Sequence, residues 1–229
     1  MPRRFTMPPI HDPELSELGR GQCRDLRKNI MGRIPKELDV GLIVVSPMIR
    51  TLETAMLTFE GLIDKGVPIV AHAGWQETTA KPCDVGSPID KVRALFPKVD
   101  FSQVDPVFPD KTSAAGAKYF PTKEAIVARG QDVLRDLYRR PEKYIAVVSH
   151  SGFLRSGVSG HYYVNADYRI FDFDVPETAD GGEPATLTLK QWESTAKGGL
   201  GWSFEKTVPI GYGLPNEPAE QTFAPPPSS

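Results

Sequence analysis

Two apolar runs that each end in a short polar motif constrain this chain more than any other feature. Residues 42–45 lead into Ser-Pro-Met-Ile-Arg50, and residues 145–148 lead into Ser-His150-Ser-Gly. Continuous apolar runs with β-branched members are typical of parallel strands that are buried on both faces. Ligands of parallel sheets bind beyond the carboxyl ends of the strands, so we expect Arg50 and His150 to face one shared site.

Helical and strand patterns alternate along the chain. Ser16 and Thr122 are predicted helix N-caps, Ser46 is predicted to cap the helix that holds Arg50, and Gly32 is predicted to end the first helix. A short helix is predicted at 89–96, and further strands are predicted at 67–71, 168–174, 186–190 and 202–208. The alternation predicts an α/β fold, a three-layer sandwich around a mostly parallel sheet.

Length and the placement of prolines predict one domain over residues 1–212 of the 229. Residues 97–121 hold four prolines and little periodicity, so they are predicted to form a long surface insertion. Insertions of this kind often serve as lids or binding elements. Residues 213–229 are rich in Pro, Glu and Ser and are predicted to be disordered.

Composition narrows the function classes. The net charge of −2, from 27 basic and 29 acidic residues, argues against broad nucleic-acid binding. The two cysteines form neither a disulfide framework nor a metal-binding spacing, which favours a reducing cytoplasmic setting. No stretch is apolar enough to cross a membrane, and the first residues lack the apolar segment of a secretory signal. The oligomeric state is left open.

The residues at the two junctions have the chemistry of an anion site. A cation in the first turn of a helix is electrostatically disfavoured unless an anion is bound there, and the guanidinium fork of Arg50 matches phosphate. The serines and glycine beside His150 favour an anion-binding or catalytic role, with Ser151 as a further phosphate ligand. Ser151 is disfavoured as a hydrolase nucleophile because its frame is not Gly-x-Ser-x-Gly.

Glu77, which follows the predicted strand 67–71, is the candidate general acid toward a leaving oxygen. The plainer alternatives are a solvated Arg50, a core His150 and a surface Glu77. The scattered histidines and carboxylates show no ligand spacing, so we expect no metal and no cofactor.

Four segments over residues 12–175 resemble, in order, the motifs of the histidine phosphatase superfamily, which has the phosphoglycerate-mutase-like fold. The first begins at Asp12 and is similar to the family's "D-x-x-L-T-x-x-G-x-x-Q" helix, and the second begins at Ser46 and is similar to its "S-P-x-x-R-T-x-x-T-A" motif. The third begins at Gln76 and is similar to the segment that carries the proton donor. The fourth begins at Val147 and is similar to the "V-x-H-G-G-x-x-R" motif.

The resemblance implies phosphomonoester hydrolysis or phosphoryl transfer through a phosphohistidine, with a small phosphorylated molecule as the ligand. In that family a first histidine, within Arg-His-Gly, attacks phosphorus, while arginines and a second histidine hold the phosphoryl oxygens. By resemblance, Arg50 is a clamp, His150 is the second histidine and Glu77 is the acid.

The chain contains no Arg-His-Gly, and no predicted strand precedes Asp12, so the first central strand of the family's sheet is expected to be missing. His11 lacks the neighbours of the family's nucleophile. Two explanations remain. The chain is either a truncated gene product, or a non-catalytic relative that binds a phosphorylated ligand. Residues 1–11 offer no visible compensation for the unpaired strand edge, which favours truncation.

Overall fold

The structure is a computed structural model that describes residues 10–175 and 184–217. Its sheet is parallel: β1 (Val40–Val45) lies between β2 (Ile69–Ala71) and β3 (Tyr144–Val148). The prediction of an α/β fold with a parallel sheet is confirmed. A separate antiparallel pair consists of β4 (Phe171–Phe173) and β5 (Leu189–Gln191).

Within the described ranges, five α-helical segments connect and cover the strands, and the fifth continues directly into a π-helix, Leu154–Ser159. Short 3₁₀ segments lie at Ala73–Trp75, Pro82–Asp84, Ala114–Tyr119 and Glu193–Thr195. No helix of the described ranges is long and apolar enough to span a membrane. The α-helical segments are α1 (Glu17–Glu37), α2 (Ile49–Ile63), α3 (Ile89–Leu95), α4 (Lys123–Tyr138) and α5 (Ser151–Phe153).

The central strand β1 is apolar on both faces because helices pack against both. Ile43 and Val45 lie in a cluster with residues of α1 and α2, whereas Leu42 and Val44 lie in a cluster with residues of α4. All four side chains are at most 2% exposed. Complete burial explains the continuous apolar run, which a strand with one solvated face would not need.

The caps of two helices are as predicted. The Thr122 hydroxyl accepts a hydrogen bond from the backbone N–H of Ala125, and the Ser16 hydroxyl accepts one from Gly19. The predicted end of α1 at Gly32 is wrong, because the helix continues to Glu37. Glycine lowers helix propensity by only about 1 kcal/mol, and that is too little to end a helix whose neighbouring residues are packed.

The predicted cap of α2 is also wrong. The helix begins at Ile49 rather than directly after Ser46, and the Ser46 side chain bonds to another part of the chain. The buried carboxylate of Asp12 takes the place of the cap: it accepts hydrogen bonds from the backbone N–H groups of Ile49 (3.1 Å) and Ser87 (2.7 Å). A long-range contact therefore fixes this helix start, which a local pattern could not indicate.

The later part of the chain agrees with prediction only in places. β4 lies within the predicted strand 168–174, and β5 overlaps the end of the predicted strand 186–190. The predicted strand 202–208 forms only a single bridge among the described residues, from Thr207 to His161. The prediction of one domain over 1–212 stays a prediction. Of the segment 213–229 that is predicted to be disordered, residues 218–229 lie outside the described residues, whereas Leu214 packs against the apolar cluster that includes Leu42 and Val44, and Pro215 accepts a backbone hydrogen bond from Lys123. Residues 97–121 include the 3₁₀ segment Ala114–Tyr119.

Two glycines in helices provide a matched test of packing. A Cβ at Gly130 would lie 1.8 Å from the carbonyl oxygen of Gly157, whereas a Cβ at Gly32 would meet nothing within 4 Å. We expect Gly130→Ala to lower the free energy of unfolding by about 1–3 kcal/mol, because α4 must move away from the π-helix. Gly32→Ala should raise it by about 0.5–1 kcal/mol. Urea unfolding measures both, and equal effects would contradict the packing described here.

Candidate active site

Backbone hydrogen bonds hold the carboxyl ends of the three parallel strands together. The N–H of Ser46 donates to Val148 (2.9 Å), and the N–H of His72 donates to Val45 (2.9 Å). The Ser149 hydroxyl adds a bond to the Trp75 carbonyl (2.7 Å). The segments that leave the three strands therefore start side by side.

Arg50 and His150 are in direct contact at this edge. Arg50 Nη2 donates to His150 Nδ1 (3.0 Å), so His150 carries its proton on Nε2, which donates to the Ser46 hydroxyl oxygen (2.9 Å). His150 is 5% exposed, and Arg50 lies in the first turn of α2. Both ring nitrogens are thus engaged in the neutral imidazole.

The environment of His150 disfavours its charged form. Burial, followed by the positive charges of Arg50, Lys111 and Arg129, lowers the pKa of His150 well below its ordinary value. Because three cations surround one imidazole, the electrostatic potential at this edge of the sheet is positive.

Arg50 is also held from its other side. Its Nη1 donates to the Cys83 carbonyl (2.6 Å), and its Nη2 forms an ion pair with Asp84 Oδ1 (3.1 Å). The second oxygen of Asp84 accepts from the Thr79 hydroxyl. An anion that bound both terminal nitrogens of Arg50 would compete with the Cys83 carbonyl as well as with Asp84.

Glu77 lies beside the turn that follows His150. Its Oε1 accepts a hydrogen bond from the backbone N–H of Thr78 (2.8 Å). A Cβ at Gly152 would lie 2.5 Å from that oxygen, so only glycine at 152 allows the carboxylate to approach so closely. The structure therefore brings Glu77 close to the turn that begins with His150.

Ser151 is the predicted site residue that does not join this network. It is exposed at the start of α5, and its hydroxyl makes no hydrogen bond within the part of the chain that the structure describes. Its role as a phosphate ligand stays a prediction.

Sequence reasoning missed Lys111, which is 1% exposed. Its Nζ donates to the carbonyl oxygens of Glu77 (2.8 Å), Thr79 (3.0 Å) and Asp84 (2.6 Å). Three donated bonds require the ammonium form. Burial and the charge of Arg129 lower the pKa of Lys111 to about 7, against the opposing charges of the two nearby carboxylates. Lys111 comes from the aperiodic insertion, where no local pattern indicates it.

Arg129 was missed as well. It lies on α4, is 4% exposed, and its guanidinium carbon lies 4.1 Å from the centre of the Phe153 ring. Nη2 makes one long bond to the Glu77 carbonyl (3.5 Å), while Nε and Nη1 are buried without a partner among the described residues. Burial lowers the pKa of Arg129 to about 10, although the charge of Glu77 opposes this. The sequence held one sign of a role for Arg129, since an arginine on the predicted apolar face of α4 would be buried.

The charges of the site do not balance. Arg50, Lys111 and Arg129 face Glu77 and Asp84, which leaves one positive charge in excess. No group of three or more His, Cys, Asp or Glu side chains in the described ranges has the arrangement of a metal site. Buried donors without partners and an excess of positive charge are features of an anion-binding site.

Fold and site together define an α/β protein with a cationic pocket at the carboxyl ends of parallel strands. The sequence matches the histidine phosphatase superfamily (branch 1) over residues 4–173, and the chain belongs to that superfamily.

Similar proteins carry names from the same superfamily. The chain is 35% identical over 170 residues to phosphoglycerate mutase-like protein 1 of Arabidopsis thaliana, which covers 62% of this chain and 58% of that protein. It is 33% identical over 148 residues to a probable phosphatase of Schizosaccharomyces pombe, with 63% and 65% covered. A solved structure, Bacillus stearothermophilus YhfR, shares 20% identity over 73% of this chain and 83% of that one, with a TM-score of 0.46. The chain thus spans less than two thirds of the length of these two curated relatives.

The lowered pKa of His150 predicts a pH dependence of stability. Unfolding returns the imidazole to an ordinary pKa of about 6.5, so below that pH the unfolded chain binds a proton that the folded chain does not. Stability should fall as the pH falls below about 6.5, and His150 should contribute up to about 1.4 kcal/mol per pH unit. In His150→Gln this contribution to the slope of stability against pH should disappear. Urea unfolding between about pH 5 and 7, on both sides of the ordinary pKa, measures it. Equal slopes in the two proteins would contradict a buried neutral His150.

Proposed function

We propose that Arg50 and His150 bind the phosphoryl group of a small phosphomonoester, with Ser151 as a further ligand and Glu77 as the acid that protonates the leaving oxygen. The observation that carries this proposal is the direct contact of Arg50 with His150 inside a pocket with excess positive charge. A phosphate dianion would offset that charge and accept hydrogen bonds from several donors at once.

The chemistry we assign to the fold is that of the superfamily: phosphomonoester hydrolysis or phosphoryl transfer through a phosphohistidine. A histidine nitrogen forms a bond to phosphorus as the phosphorus–oxygen bond to the alcohol breaks. Glu77, which must be protonated when the phosphomonoester is bound, gives its proton to the leaving alcohol. The resulting carboxylate then takes a proton from the water or alcohol that attacks phosphorus as the bond from histidine nitrogen to phosphorus breaks. Positioning and charge stabilisation supply most of the acceleration in such reactions.

The nucleophile is the part of this mechanism that the described residues do not supply. The 229 residues contain no Arg-His-Gly, and His11 is exposed. His72 accepts a hydrogen bond from the N–H of Gly74, and His161 bonds the Ser159 carbonyl. These engagements favour a second candidate function, the binding of a phosphorylated ligand without turnover.

We further infer a three-layer sandwich with one more strand beside β3, as the resemblance implies. Among the described residues β3 pairs only with β1, and Tyr144, Ile145, Ala146 and Val147 are only partly buried. An apolar strand with a half-buried face and an unpaired edge is the arrangement that a further strand would complete.

Arg50→Gln tests the phosphate site. We expect it to weaken the binding of inorganic phosphate and of vanadate by at least about tenfold, because a charge-assisted bidentate contact is lost. Arg93→Gln is the matched control, since Arg93 is an exposed arginine of α3 whose ion pair is a long one of 3.8 Å, to Asp90. Titration calorimetry measures both. Equal affinities for the two variants would contradict the site.

Hydrolysis of p-nitrophenyl phosphate separates the two candidate functions. We expect phosphate binding but no turnover from the 229 residues alone, and turnover from a version extended upstream by a strand that carries Arg-His-Gly. Turnover by the 229 residues that survives His11→Ala would show that another group is the nucleophile.

A further inference from the structure

A cavity of about 780 Å³ lies beside the backbone that follows Glu77, the proposed acid. Thr78 and Thr79, which directly follow Glu77, form part of one wall. Arg155 and Ser156, in the helical segment that follows His150, form part of another. The cavity therefore begins beside the proposed acid, at the two residues that follow it.

Most of the lining is apolar or aromatic. This part of the lining includes Phe120, Pro121, Tyr162, Tyr212 and Leu214. The volume lies within the roughly 300–1,000 Å³ of typical small-molecule sites, and it far exceeds what a phosphate ion alone would fill. A ligand that fills it has a bulky apolar part.

The charged residues of the lining are all basic. Lys81, Lys111 and Arg155 line the cavity, and no aspartate or glutamate does. Arg155 lies over the Tyr162 ring, 5.1 Å from its centre. A mouth lined by one sign of charge attracts ligands of the opposite sign, which suits a phosphorylated molecule with an apolar body.

One wall comes from the chain's own C-terminal segment. The superfamily match ends at residue 173, whereas the lining residues 212–215 lie beyond it. Two backbone hydrogen bonds fasten this wall: Gly211 N–H donates to Ser156 (2.7 Å), and Lys123 N–H donates to Pro215 (2.7 Å).

Gly211 is required for the first of these bonds. Its φ of +81° is in the left-handed region, and a Cβ there would lie 2.8 Å from the Lys123 side chain. The wall is thus a built part of this chain, separate from the segment that defines the superfamily.

We propose that this cavity holds the alcohol part of the phosphomonoester, and that this part is bulky and apolar, with an aromatic ring as the best fit. The proposal rests on the proposed function, because it takes the phosphoryl group to lie at Arg50 and His150. The leaving oxygen then lies at Glu77, and the carbon body extends into the cavity. Compact hydroxy-acid phosphates would leave the apolar walls in contact with water and would bind weakly.

Two non-hydrolysable phosphonates test this preference. Calorimetry with the 229-residue chain should show 1-naphthylmethylphosphonate binding at least about tenfold more tightly than methylphosphonate, because the ring is removed from water. The compact ester 3-phosphoglycerate should bind no better than methylphosphonate. Equal affinity for the two phosphonates would overturn the proposal.

Substitutions in the lining test whether the apolar part of the ligand binds in this cavity. Tyr212→Ala and Phe120→Ala should each reduce the advantage of the naphthyl compound at least about threefold and leave methylphosphonate binding unchanged. Phe204→Ala is the matched control, because Phe204 is an aromatic side chain that is 67% exposed and not part of the lining. A loss as large in Phe204→Ala as in Tyr212→Ala would overturn the assignment.

Arg50→Gln distinguishes failure of this proposal from failure of the proposed function. Both proposals predict that it weakens both phosphonates alike. Naphthyl binding that depends on Tyr212 but not on Arg50 would uphold the apolar cavity and overturn the phosphate site. If neither phosphonate binds, both proposals fail.

Discussion

The parallel register of β1 and β3 is the constraint on which the site depends. Val45 pairs with Val148, so the two strands end at the same height and the polar motifs leave them side by side. A strand rises about 3.3 Å per residue. A slip of one residue would therefore move Arg50 and His150 apart by about that distance and break their 3.0 Å contact. The burial of residues 42–45 on both faces of β1 enforces this register, because any slip would place apolar side chains in the wrong cluster.

The strands and the meeting of Arg50 with His150 could be predicted from sequence because both follow from short-range patterns. Continuous apolar runs indicate buried strands, and the polar motifs after them fall at the same edge of a parallel sheet. Residues that act through long-range contacts could not be predicted in this way. The Ser46 hydroxyl bonds His150 rather than capping a helix, and the buried Lys111 reaches the site from the aperiodic insertion.

The two buried cations that the sequence did not reveal differ in their hydrogen bonds. Isolated burial of a cation costs several kcal/mol unless partners offset it. Lys111 has an acceptor for each of its three donors: the carbonyl oxygens lie on residues 77–84, so Lys111 holds that loop together close to Glu77. Arg129 is not, because two of its nitrogens lack partners among the described residues. Lys111 therefore has partners for all its donors within the chain, whereas Arg129 keeps two donors that a ligand of the proposed kind would pair.

Asp84 shows how the pocket can hold excess positive charge before a ligand binds. Its carboxylate pairs with Arg50, and both side chains are partly exposed, at 16% and 22%, so solvent screens the pair and weakens it. A carboxylate brings one charge to Arg50, whereas a phosphate dianion brings two and offers oxygens to several donors at once. In the competition that the proposed function requires, a phosphoryl group therefore has the advantage over simple carboxylates. Because Arg50 contacts His150 directly, a phosphoryl group that replaced Asp84 would bind next to the imidazole.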